Sequence, residues 1–398
     1  MDFTLTVEEE KFVNEVREFL KENPPENFTV DNPDQGNSLG GFSRAFYKKL
    51  GEAGYLSLSW DPEYGGEGSF MKEFLLLEQL AYHKAPFAAT YLLGTVARRI
   101  MSEGTQKAKD ELLPQMKNGD LIFWLGYSEL QAGSDLLNLK TTAREEGDYF
   151  VVNGQKIWSS WAHLSDWVYL LVLTDPEAPR GRGLSLLLVD KKSPGVTVEP
   201  VRSLADTYYH NMVYLDNVKV HKDYLLGKKN DGLHLMLAGL EADRFWSRCV
   251  KPQWLKGFLD DIVRFLRDDP FGRKIISSKP WVRNALAEFM IEIEVGRLFS
   301  YQCASILNQG TPLTYESSVL KYFIEELGVR LQSFLVDAFG FVGTLRESRM
   351  LPFAQDLCSY YLWSIPYTAA GGTAEIQKDT IARMRFGLRR PSPRIKKA

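Results

Sequence analysis

The spacing of apolar side chains divides the chain into three stretches. Thr6-Val7-Glu8-Glu9 has the form of a capping box, and Phe12, Val13, Val16, Phe19 and Leu20 then fall on one helical face. Pro24-Pro25 ends that helix. Helical spacing recurs over 42–53, 72–100 and 106–116, broken by the turn-rich run Trp60-Asp61-Pro62-Glu63-Tyr64-Gly65-Gly66. Residues 1–121 therefore read as an all-helical domain. From Leu121 the period changes. Residues 143–154 give a strand, turn, strand signal, 167–173 and 184–190 are short apolar runs rich in strand formers, and 196–200 and 213–220 continue the series. Residues 122–228 read as a small β-barrel or sandwich domain. After Gly232 the helical period returns and runs to about Phe386, in long segments over 234–251, 254–267, 280–309 and 315–339. Pro252, Pro270 and Pro312 separate them. Such lengths suit an antiparallel bundle, so 229–398 reads as a C-terminal helical domain. The fold class is α+β. The basic tail from Arg389 reads as a solvated end.

The bulk properties narrow the function. At 398 residues the chain exceeds what one core usually holds, so two or three domains are expected. A formal net charge of −3 argues against broad nucleic-acid binding, which needs a basic face. No run of 18 apolar residues predicts a membrane span, and the N-terminus lacks the basic-then-apolar form of a signal peptide. Cys249, Cys303 and Cys358 are odd in number and far apart, as for reduced thiols in a cytoplasmic protein, and make no metal signature. His83, His163, His210, His221 and His234 are scattered and read as structural, with His83 and His163 the two that could lie near a pocket.

Chemistry concentrates where the helical pattern gives way to strands. Gly126-Tyr127-Ser128-Glu129-Leu130-Gln131-Ala132-Gly133-Ser134-Asp135 offers small residues, free N–H groups and short hydroxyls where a bulky ligand could approach. By itself it reads equally well as a polar turn. Two later runs change the picture. Lys156-Ile157-Trp158-Ser159-Ser160-Trp161-Ala162 follows Asn153-Gly154-Gln155, and Gly371-Gly372-Thr373-Ala374-Glu375-Ile376-Gln377 lies near the C-terminus. In order and spacing the three resemble the acyl-CoA dehydrogenase family, whose patterns are Thr/Ser-Glu-x-x-Ala-Gly-Ser-Asp, Trp-x-Ser/Thr after Asn-Gly-x-Lys, and Gly-Thr-x-x-Ile-Gln. The resemblance spans essentially the whole chain.

That resemblance implies FAD, an acyl-CoA substrate, an electron-transfer flavoprotein as acceptor and a homotetramer. In the family a carboxylate removes the α-proton of an acyl thioester while the β-hydrogen leaves as hydride to flavin N5. It implies flavin contacts at Tyr127, Ser128, Gly133, Trp158, Ser160, Thr373 and Glu375. Phe271, before Gly272, implies a contact with the adenosine half from a neighbouring subunit. Asp268 and Asp337 depart from the Arg and Gln common near these positions. Ser134 and Arg244 are implied substrate contacts. Many members carry a catalytic Glu where Gly371 stands. A second group carries it on the helix opening the C-terminal domain, just before an Arg, where this chain has Asp243-Arg244, with Glu241 as the reserve. Asp reaches roughly 1.5 Å less than Glu. The Gly371 N–H would hold the thioester oxygen, and the missing side chain leaves room for a bulky, branched or cyclic acyl group. The alternatives are a flavin monooxygenase or oxidase on the same fold, and a non-catalytic partner in a hetero-oligomer.

Overall fold

The structure is a computed structural model describing residues 3–31, 41–88 and 90–389, without the side chains at 90–93, 238 and 240–243. The tail beyond Arg389 lies outside the described residues.

The N-terminal helices are α1 (Val7–Glu22), α2 (Arg44–Glu52), α3 (Phe70–Tyr82), α4 (Thr90–Glu103) and α5 (Gln106–Lys117). The capping box of α1 is complete. The Glu9 N–H donates to the Thr6 hydroxyl at 3.2 Å and the Thr6 N–H to the Glu9 carboxylate at 2.8 Å, so two otherwise unpaired amides are satisfied. Phe12, Val13, Val16 and Leu20 are the buried face, as their spacing requires. The helical pattern over 72–100 is two helices, not one. Lys84 has φ +54°, and Pro86 has no N–H to continue a ladder, so the chain turns between Tyr82 and Thr90.

The middle region holds β1 (Phe123–Gly126), β2 (Thr142–Glu146), β3 (Tyr149–Lys156), β4 (Trp167–Leu173), β5 (Leu184–Asp190), β6 (Val196–Val201), β7 (His210–His221) and β8 (Leu225–Leu226). They form one sheet in the order β6-β7-β3-β2-β4-β5-β8, with β1 parallel to β4. β4 explains its unbroken apolar run by burying both faces. Val168, Leu170 and Val172 join an inner core with Trp124, Leu187 and Val189. Tyr169 and Leu171 join the large core shared with the helices.

The C-terminal helices are α6 (Gly232–Arg248), α7 (Lys251–Asp268), α8 (Pro270–Ser278), α9 (Trp281–Asn308), α10 (Glu316–Phe339), α11 (Ala354–Tyr367) and α12 (Ala374–Phe386). Pro252 and Pro270 sit in the first turns of α7 and α8, where a missing N–H costs nothing. No described helix is long and apolar enough to cross a membrane.

Candidate functional site

The turn after β1 is built around a buried ion pair. Glu129 is 2% exposed and Lys156 0%. The Lys156 ammonium donates to the Glu129 carboxylate at 2.9 Å and to the Tyr127 carbonyl at 3.1 Å. The carboxylate also accepts from the Lys140 N–H at 2.6 Å, the Thr141 N–H at 2.9 Å and the Gln131 amide at 2.8 Å. Burial pushes the Lys156 ammonium down to about 8, against the pull of Glu129. The pair thus ties the turn to the end of β3. It occupies the Glu of the first motif and the Lys of the second, residues to which the motifs lent no role. Their fixed places there were the available signal.

Around this anchor the implied flavin contacts spread outward. Tyr127 is buried, with its ring edge-on to Tyr169 at 6.0 Å. Ser128 is half-buried, and its carbonyl accepts from the Ile157 N–H at 2.9 Å, so the first and second motifs lie side by side. Gly133 and Ser134 are exposed, and a Cβ at Gly133 would meet no protein atom within 4 Å. Within this chain nothing crowds that position, as suits a place where an external group approaches.

Trp158 is the most telling residue of the second motif. It has φ +58°, a conformation that costs a non-glycine residue roughly 1–3 kcal/mol, and its indole remains 57% exposed. Trp161 is also left-handed, at +65°, but buried. The turn hangs on β7. The Ser159 and Asn211 N–H groups each donate to the other residue's carbonyl at 3.1 Å, and the Trp161 N–H donates to the Tyr209 carbonyl at 3.1 Å. A strained turn that holds a large aromatic out of the core fits a ligand-facing wall better than a sheet aromatic.

The third motif comes to the same region through α6. A Cβ on Gly239 would lie 3.6 Å from the Tyr127 hydroxyl. Further along α6, the buried Arg244 donates to the Gly371 carbonyl at 3.4 Å and Arg248 to the Ala370 carbonyl at 3.0 Å. Lys321 of α10 donates to the Thr368 carbonyl at 3.2 Å, and buried Gln377 to the Gly372 carbonyl at 2.9 Å. The loop between α11 and α12 is thus gripped along its carbonyls. Arg248 and Lys251 pair in turn with buried Glu325, at 2.8 and 2.5 Å. Gly371 has φ +70°, and a Cβ there would sit 3.3 Å from the Arg248 guanidinium. The space expected from the missing side chain is therefore bounded by Arg248. Arg244 itself faces this loop. Thr373 caps α12, its hydroxyl accepting from the Ile376 N–H at 3.3 Å, and Glu375 is exposed in the first turn.

Asp243 and Glu241 are on α6, but their side chains lie outside the description. Phe271 stands apart. It is half-buried at the start of α8, where Asp269 accepts from its N–H at 2.8 Å, and no hydrogen bond or ring contact among the described residues joins it to the other motifs. Asp268 is exposed and ion-paired with Arg267 at 2.7 Å.

Acyl-CoA dehydrogenase N-terminal, middle and C-terminal domain models match residues 6–120, 125–218 and 230–385. The chain belongs to the acyl-CoA dehydrogenase family. Its members are oxidoreductases acting on CH–CH groups, and FAD dependence is typical of them. Acyl-CoA dehydrogenase FadE26 of Mycobacterium tuberculosis is 32% identical, the match covering 98% of this chain and 99% of the relative. Among solved structures, the Tcur3481-Tcur3483 steroid ACAD superposes with a TM-score of 0.87 at 28% identity, over 98% of this chain and all of the other. The ChsE4-ChsE5 complex from Mycobacterium tuberculosis gives 0.83 at 30% identity, over 98% and 100%. The three-domain fold of helices, sheet and helices is that of the family. The exposed indole of Trp158, the half-buried Ser128 and the open position at Gly133 suit a flat, polar-edged ring such as the isoalloxazine of FAD.

Proposed function

We propose that this protein carries out FAD-dependent α,β-dehydrogenation of an acyl-CoA whose acyl group is bulky, branched or cyclic. The observation that supports this reading best is the hydrogen bond from Arg244 to the Gly371 carbonyl. Position 371 carries no carboxylate, and that bond draws the opposite candidate, the Asp243-Arg244 segment of α6, to the same loop. FAD, when bound, supplies the hydride acceptor. Asp243 takes the α-proton. The Gly371 N–H, which donates to no group among the described residues, holds the thioester oxygen as negative charge develops there. Arg244 positions that loop, and Tyr127, Ser128, Trp158, Ser160 and Thr373 line the flavin. Ser134 contacts substrate, and Glu375 and Phe271 contact the cofactor, the latter across a subunit boundary in a homotetramer. The electrons pass to an electron-transfer flavoprotein. Similarity to a steroid ACAD supports the bulky acyl group.

Asp243→Asn tests the assignment. It keeps shape and removes the proton acceptor, so single-turnover bleaching of the flavin should slow by about 10²–10⁴-fold while substrate binding survives. Near-normal bleaching would move the role to Glu241 or elsewhere.

A second reading rests on Asp268, whose carboxylate is spent on Arg267 where the family often presents an Arg. A hetero-oligomer with a related subunit, as in the solved ChsE4-ChsE5 complex, would supply the missing contact. Purified alone, such a chain would hold little flavin and recover it on co-expression with that partner.

A further inference from the structure

We infer that His210 is a positioning residue for the flavin-facing turn, setting the Ser160 hydroxyl and the Trp158 indole through direct contact. The inference rests on the flavin reading of that turn. His210 opens β7 and carries none of the three motifs.

Four contacts converge on its ring. The imidazole Nδ1 and the Ser160 hydroxyl oxygen are 3.2 Å apart. The Trp158 indole stands edge-on to the imidazole, with centroids at 5.7 Å. The Tyr209 ring also stands edge-on to the imidazole, with centroids at 4.6 Å. Trp363 of α11 packs against the ring at 5.7 Å. His210 therefore touches both the left-handed Trp158 turn and the helix that leads into the Gly371 loop.

The strain at Trp158 needs such a brace. A left-handed tryptophan with more than half its surface exposed is held neither by its own backbone preference nor by burial. The backbone pairing of Ser159 with Asn211 fixes the base of the turn, yet it leaves the Trp158 ring and the Ser160 hydroxyl free to rotate. The imidazole constrains both. Its bond to Ser160 also decides which way that hydroxyl's hydrogen points, since a neutral imidazole is a donor on one nitrogen and an acceptor on the other. A hydroxyl whose hydrogen is already directed presents a defined lone pair or a defined O–H to a ring edge laid beside it.

The test uses the full chain with His210→Phe, His210→Asn and Ser160→Ala, singly and with His210→Phe/Ser160→Ala combined. FAD affinity is read from fluorescence quenching on reconstitution, alongside the visible spectrum and reduction potential of the bound flavin. His210→Phe keeps the ring packing and loses the nitrogen. It should weaken FAD about 5–10-fold and shift the spectrum. His210→Asn, which can present a polar group near the Nδ1 position, should recover part of the affinity. The double variant should be no weaker than the worse single one, because both remove the same interaction. Wild-type affinity, spectrum and potential in His210→Phe and His210→Asn alike would overturn the inference, as would fully multiplicative losses in the double variant. A wild-type chain that takes up no FAD overturns the flavin reading, and this inference with it.

Discussion

Removing either partner of the buried Glu129–Lys156 pair should damage the protein, but unequally. Lys156→Met leaves the Glu129 carboxylate with three donors, the Lys140 and Thr141 N–H groups and the Gln131 amide. The Tyr127 carbonyl loses its ammonium partner. Breaking a buried pair typically costs about 3–5 kcal/mol, and the surviving donors place this variant at or below the lower end. Glu129→Leu strands an ammonium that is fully buried and leaves two backbone N–H groups without their acceptor, at about 1–3 kcal/mol each. Its total should exceed about 5 kcal/mol. Urea unfolding followed by far-UV circular dichroism, with flavin release followed in parallel, gives the comparison. Glu129→Leu should unfold at markedly lower urea than Lys156→Met and release flavin first, because the turn carrying Tyr127 and Ser128 hangs on that carboxylate. Equal midpoints, or the reverse order, would refute the reasoning that Glu129, rather than the pair as such, organises the turn.

Gly371→Ala should cost about 1–2 kcal/mol of stability, since Gly371 sits at φ +70° and an added Cβ presses the Arg248 guanidinium. Its kcat should fall more than its substrate affinity, read from steady-state kinetics. His210 predicts a pH effect on stability. Burial pushes its imidazole down to about 4. The unfolded chain, titrating near 6.5, binds more protons between those values. The contribution, at most about 3 kcal/mol, is therefore complete above pH 6.5 and lost as the pH falls toward 4. Urea midpoints across that range should drop less in His210→Phe than in wild type.

Much of the architecture was legible because period and punctuation agreed. The strands at 167–173 and 184–190 are apolar throughout because β4 and β5 are covered on both faces, and such a run needs no alternation to be read. The α1 capping box was written in four residues. The break between α3 and α4 was not read, because the apolar period continues across it and only Pro86 marks the turn. The short α8 was missed for a similar reason. Its signal is Asp269-Pro270, a cap followed by a first-turn proline, which by itself also reads as a simple break. At the site, the motifs pointed to the residues proposed to meet the ligands. The groups that hold those residues in place, Lys156, His210, Arg248, Lys321 and Glu325, come from four separate segments, and only the folded chain brings them together. Long-range charge pairing of this kind leaves no periodic trace.

The proposal that this chain dehydrogenates a bulky acyl-CoA is tested most directly by anaerobic mixing of the FAD-loaded protein with a set of acyl-CoA thioesters, following the visible absorbance of the flavin. Branched or cyclic acyl-CoAs should bleach it in a single turnover, with kcat/KM well above that of a straight short-chain acyl-CoA. A flavin bleached fastest by the straight short chain would contradict the reading of the acyl pocket, and one bleached by none would contradict the proposed reaction itself.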